Sequence, residues 1–93
     1  MSVPAEAAIR HALVELFNSD AFRPSEPVGP NDELLRNGLL DSFGFVVLLG
    51  HLDATYGVTL ETDDLLELDH FRTVARLAAF LARKLDGVAP SSP

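Results

Sequence analysis

The sequence predicts an all-α fold, a small four-helix bundle of three longer helices and one short one. Three stretches repeat apolar residues at the three- and four-residue spacing of a helix stripe. No stretch alternates apolar and polar residues as a half-buried strand does. Pro24, Pro27, Gly29 and Pro30 gather in one long connection between the first two helices.

The first helix is expected over residues 4–17. Ile9, Leu13, Leu16 and Phe17 form its stripe, Pro4 suits the first turn, and Ser2 can cap it. Asn18-Ser19-Asp20 breaks the pattern. Residues 18–40 are too long to be structureless in a small domain. A short turn capped by Asn31 is therefore expected over Asp32 to Arg36, with Leu34, Leu35, Leu39 and Leu40 pinned to the core. Gly38 is placed for a positive φ just ahead of the Leu pair.

The second helix is expected from Ser42 to Tyr56, with Gly57 as its stop. Phe43, Val46, Leu49, Leu52 and Tyr56 read as its core stripe, and Phe45, Val47 and Leu48 add apolar surface beyond one face. Gly44 and Gly50 lie inside it, each costing roughly 1 kcal/mol relative to Ala. They admit either a neighbouring helix or a close ligand. Val58-Thr59-Leu60 reads as extended, with Leu60 entering the core. Thr62 then caps a short helix over Asp63 to Leu68, which sets Asp63 and Asp64 at the positive end of the helix dipole. The last helix spans Thr73 to Asp86, with Val74, Leu77, Ala78, Leu81 and Leu85 as its stripe and Gly87 as its stop. The whole, residues 1–93, reads as one freestanding domain with its core over 5–86 and a tail over 87–93.

Composition excludes several function classes. There is no cysteine, hence no disulfide framework and no thiolate metal site. His11, His51 and His70 show no ligand spacing. No apolar run approaches the ~20 residues of a membrane span, and the N-terminus lacks the basic and apolar regions of a signal peptide. A cytoplasmic monomer is expected. The net charge is −7, and between Arg36 and Arg72 there is no Lys or Arg at all. That interval holds Asp41, Asp53, Glu61, Asp63, Asp64, Glu67 and Asp69. Such a field repels nucleic acid and attracts basic protein surfaces.

The stretch Gly38-Leu39-Leu40-Asp41-Ser42-Phe43 ends the long connection and opens an apolar helix. It sets the Ser42 hydroxyl beside free backbone N–H groups and the positive end of a dipole, a natural place to hold phosphate. Asp41 and Ser42 are both good capping residues. Catalysis has little support. No Gly-x-Ser-x-Gly elbow surrounds Ser42. His51 follows nine residues later, a separation of roughly 13 Å along a helix, too far for a general base. What remains is a serine that is acted upon, or a plain helix cap.

Asn37-Gly38-Leu39-Leu40-Asp41-Ser42-Phe43 resembles the phosphopantetheine attachment motif of acyl and peptidyl (aminoacyl) carrier proteins, with Phe43 in place of the family's usual Leu. Leu49 to Gly57 resembles the end of that family's second helix. Leu60 resembles an apolar landmark of the following loop, and Asp69-His70-Phe71-Arg72-Thr73-Val74 resembles the lead into the last helix. The resemblance spans residues 5–86 in register. It implies a four-helix carrier bundle, non-catalytic itself, with Ser42 as the covalent anchor of 4′-phosphopantetheine and Asp41 and Phe43 flanking it. A phosphopantetheinyl transferase using Mg²⁺ would supply the arm, so the carrier needs only an accessible nucleophile. The arm then holds an acyl or aminoacyl thioester and carries the reactivity.

The implied partners are that transferase, an acyl- or aminoacyl-loading ligase and a downstream synthase or transferase. A docking face is expected from Phe45 and Val47, flanked by Asp41, Asp53, Asp63 and Asp64. Val47 and Gly50 stand where fatty-acid carriers often have an acid and a Met. The chain therefore looks closer to discrete carriers of bacterial polyketide or nonribosomal peptide pathways, a direction that six Arg against one Lys also favours. The alternative from a different class is an unmodified helical interaction module of the same fold.

Overall fold

A computed structural model of the chain describes residues 5–88. They form α1 (Glu6–Phe17), α2 (Ser42–Tyr56), α3 (Thr62–Leu66), a 3₁₀ turn (Leu68–Phe71) and α4 (Val74–Val88). The architecture is all-α, three longer helices and one short one, with no strand among the described residues. None of these helices is long and apolar enough to cross a membrane. The expected roles of Ser2 and Pro4, and the tail Ala89 to Pro93, lie outside the described residues.

The closest helix pair is α1 with α4. Each has one apolar stripe, and the two stripes meet: Ile9, Leu13 and Phe17 face Val74, Leu77, Ala78 and Leu81 in a fully buried core. Phe71 from the 3₁₀ turn and Leu48 and Leu52 from α2 complete it.

The buried face of α2 differs from the expected stripe. Gly44, Leu48 and Leu52 are buried, with Phe45 and Tyr56 half-buried beside them. Phe43 and Val46 instead face outward, 71% and 67% exposed. Apolar residues encircle this helix from Phe43 to Leu52, so periodicity offers no preferred face. Contact chooses the rotation: the Leu39 carbonyl presses onto Gly44, where a Cβ would collide with it. Gly50, by contrast, faces open space.

The long connection is held by its own polar groups. The Asn18 amide Nδ2 donates to the carbonyls of Val14 (2.8 Å) and Val28 (2.9 Å), and its Oδ1 accepts from the Val28 N–H at 2.7 Å. This clamp ends α1 and delivers Val28 to the core. Leu34 and Leu40 are buried and Leu35 and Leu39 half-buried, the expected pins. The short turn expected over Asp32 to Arg36 forms slightly later, over residues 34–40, where the Asn37 N–H donates to the Glu33 carbonyl at 3.0 Å, and Asn31 does not cap it. The Leu34 N–H, which an Asn31 cap would bind, donates instead to the Arg72 carbonyl at 2.8 Å. Asp32 turns back and accepts from the Gly29 N–H at 2.7 Å. With Ala75 N–H donating to the Pro30 carbonyl at 2.9 Å, these bonds tie the loop to the start of α4.

Gly57 stops α2 in the left-handed region, φ 67°, as expected. Its N–H donates to the Asp53 carbonyl at 2.9 Å, and the Val58 N–H to that of Leu52 at 3.4 Å. Val58 is the residue that enters the core, and Leu60 is only half-buried. α3 begins one residue earlier than expected, at Thr62, and ends at Leu66. Glu61 occupies the cap position, where its N–H donates to Asp64 Oδ2 at 2.9 Å. Thr73 Oγ1 caps α4 by accepting from the Arg76 N–H at 3.1 Å. Gly87 does not stop α4, which runs to Val88. A single Gly costs about 1 kcal/mol in a helix and does not by itself break one.

Candidate functional site

The start of α2 is built from the loop before it. Gly38 takes φ 83°, and the Leu39 N–H donates to Asn37 Oδ1 at 3.2 Å. Leu40 is buried and anchors the strap. Asp41, with extended backbone at φ −84° and ψ −171°, is the N-cap: its Oδ1 accepts from the Gly44 N–H at 2.7 Å. Of the two capping candidates, Asp41 therefore caps, and Ser42 is the first residue of the helix. Ser42 is exposed. Its hydroxyl makes no hydrogen bond among the described residues and is left free at the positive end of the dipole.

The other described serines are placed differently. Ser19 Oγ donates to the Leu16 carbonyl at 2.6 Å and accepts from the Ala21 N–H at 3.2 Å. Ser25 is exposed in the Pro24–Pro27 loop, away from any helix start. An open groove of about 430 Å³ lies beside the start of α2, between residues 20–23 and 38–44.

Of the residues expected to dock partners, Asp41, Phe45 and Asp64 are engaged within the chain. Phe45 is half-buried, and its ring packs edge-on against Phe71 with centroids 5.2 Å apart. The rotation of α2 turned it inward. Val47 is half-buried. Asp64 is taken by Lys84, whose Nζ lies 2.5 Å from Oδ2, and by the Glu61 N–H. The Lys84 hydrogen bond, and then that of Glu61, hold the Asp64 carboxyl below its ordinary range. Asp69 is bound by Arg76 at 2.6 Å and Arg72 at 3.2 Å.

Asp53 and Asp63 remain exposed and make no ion pair among the described residues. The exposed apolar residues that sequence reasoning missed are Phe43, Val46, Leu66 and Leu68. Their only signal was an excess of apolar positions over what one buried face can use.

No histidine is joined to Ser42. His51 Nε2 lies 3.4 Å from Thr55 Oγ1, His11 pairs with Glu15 at 3.3 Å, and the His70 ring stacks on Phe80 at 4.1 Å. The described residues hold no cluster of His, Asp and Glu suited to a metal ion.

An exposed, uncommitted hydroxyl at a helix N-terminus suits a phosphodiester anchor, because backbone N–H groups and the dipole favour the anion formed there. The family model described as the phosphopantetheine attachment site matches residues 11–81, which is most of the chain. Neither the curated proteins nor the solved structures gave a match. The chain belongs to the phosphopantetheine attachment family, the helical carrier domains in which a serine holds a covalent 4′-phosphopantetheine.

Proposed function

We propose that Ser42 is the attachment serine and that the chain works as an acyl or aminoacyl carrier in a bacterial natural-product pathway. The observation that carries the first part is the division of labour at the helix start. Asp41 caps α2, so the Ser42 hydroxyl is spared for chemistry. In the attachment step Ser42 Oγ forms a bond to the β-phosphorus of coenzyme A. The bond from that phosphorus to the nucleotide breaks, adenosine 3′,5′-bisphosphate leaves, and the hydroxyl proton passes to the transferase. When bound, the arm supplies the thiol that carries cargo. The chain's own residues supply an anchored, outward-facing nucleophile: Leu40 and Gly44 fix the loop, and Asp41 fixes the first turn.

Partners in this reading are a phosphopantetheinyl transferase, a loading ligase and a downstream synthase or transferase. They meet an apolar surface of Phe43 and Val46 on α2 and Leu66 and Leu68 beyond it, with Asp53 and Asp63 as acids open to basic partners. The natural-product role rests on Val47 and Gly50, where fatty-acid carriers often have an acid and a Met, and on six Arg against one Lys.

The test is intact mass after incubation with coenzyme A, Mg²⁺ and a broad-specificity transferase. One added phosphopantetheine, lost in Ser42→Ala, is expected. An unchanged mass in the folded wild-type chain would make it an unmodified interaction module.

A further inference from the structure

We propose that the groove beside α2 seats the near half of the arm, with Arg23 holding its phosphodiester; this rests on Ser42 as the anchor. The groove is lined by Phe22, Leu39 and Phe43 as apolar surface and by Asp20, Arg23 and Asp41 as charge. Ser42 does not itself line it, but both of its chain neighbours, Asp41 and Phe43, do. Its volume of about 430 Å³ lies in the range of small-molecule sites, and such sites pair apolar walls with a few placed polar groups. The near half of the arm has that character: an anionic phosphodiester followed by a carbon bearing two methyl groups.

Charge complementarity singles out Arg23. It is the one cation lining the groove and makes no ion pair among the described residues, although Asp20 is three positions away. Asp41 is engaged with the Gly44 N–H. A guanidinium matches phosphate oxygens with two parallel N–H donors. Without Arg23, the groove would present only carboxylates to the phosphodiester and would repel it.

The loop is built to hold Arg23 there. Its backbone sits at φ 48°, in the left-handed region that a residue with a Cβ rarely takes. The Phe22 and Arg23 N–H groups both donate to the Ser19 carbonyl, at 3.1 and 3.0 Å. The Phe22 ring is fixed against Phe17, centroids 4.7 Å apart. Pro24, next in the chain, disfavours the right-handed helical alternative for Arg23.

The experiment uses isotope-labelled full-length chain carrying the arm on Ser42, with attachment checked by mass. Nuclear Overhauser contacts are expected from the arm's paired methyls to the Phe22 and Phe43 rings and the Leu39 methyls, with amide shifts at Phe22 and Arg23 against the unmodified chain. In Arg23→Gln these contacts should be lost while the mass gain and the rest of the amide spectrum stay; Arg23→Lys should keep them in part. Arg23 is exposed, so neither change threatens the fold. A modified wild-type chain whose arm shows no contact with the groove, or contacts undiminished in Arg23→Gln, would overturn the proposal alone. A chain that takes no arm overturns it together with the attachment reading.

Discussion

Ser42 and Asp41 are adjacent, both polar and both suited to capping, yet the structure gives them separate tasks. Asp41 Oδ1 accepts the Gly44 N–H, while the Ser42 hydroxyl has no partner among the described residues. Asp41→Ala should therefore destabilise the fold by about 1 kcal/mol, the usual worth of a cap. Ser42→Ala should change stability by less than about 0.5 kcal/mol, as surface substitutions do. Urea unfolding of the two variants checks this, and equal losses would mean that Ser42 shares the capping.

Asp64 gives a second residue-scale prediction. Lys84 and the Glu61 N–H hold its carboxyl below the ordinary value of 3.8. A depressed folded-state value stabilises the fold above the unfolded value and loses that stability as pH falls through the folded one. Asp64→Asn should thus cost about 1 kcal/mol at neutral pH, and its unfolding midpoint should converge on that of wild type below the ordinary carboxylate value. A gap that persists unchanged in strong acid would contradict the assignment.

At the scale of elements, α2 is the instructive case. The faces of α1 and α4 were legible because each has a single apolar stripe. The face of α2 was not, because apolar side chains surround it and only packed contacts, the Leu39 carbonyl against Gly44 and Phe45 against Phe71 among them, show its rotation. The same limit hid the Asn18–Val28 clamp, the Leu34–Arg72 bond and the Asp64–Lys84 pair. Each joins residues that only the packed chain brings together. The site was more legible, since a loop glycine, a buried Leu and a Ser at a helix start are all local features; which of Asp41 and Ser42 caps was not, since either type can.

The two glycines of α2 now predict opposite effects. Gly44→Ala should destabilise by about 1–3 kcal/mol, because its methyl meets fixed backbone. Gly50→Ala, in open space, should stabilise by up to about 1 kcal/mol. Thermal unfolding of both separates the roles.

For the whole molecule, the acidic interval from Asp41 to Asp69 is less uniform than its composition implies. Asp64 and Asp69 are neutralised by α4 and its approach, and Asp41 is spent on the cap. The field offered to partners therefore rests on acids such as Asp53 and Asp63. Reversing these two to Lys should slow association with a basic partner such as the transferase, through encounter rate, and the defect should fade as salt is raised. A defect confined to dissociation would place them inside the contact instead.

The central claim is that one exposed oxygen on this bundle anchors the arm, and locating the added group within the modified chain tests it most directly. After proteolysis, tandem mass spectrometry should find the phosphopantetheine only on the peptide that contains Ser42. Finding it on a peptide carrying Ser19 or Ser25 would contradict the account.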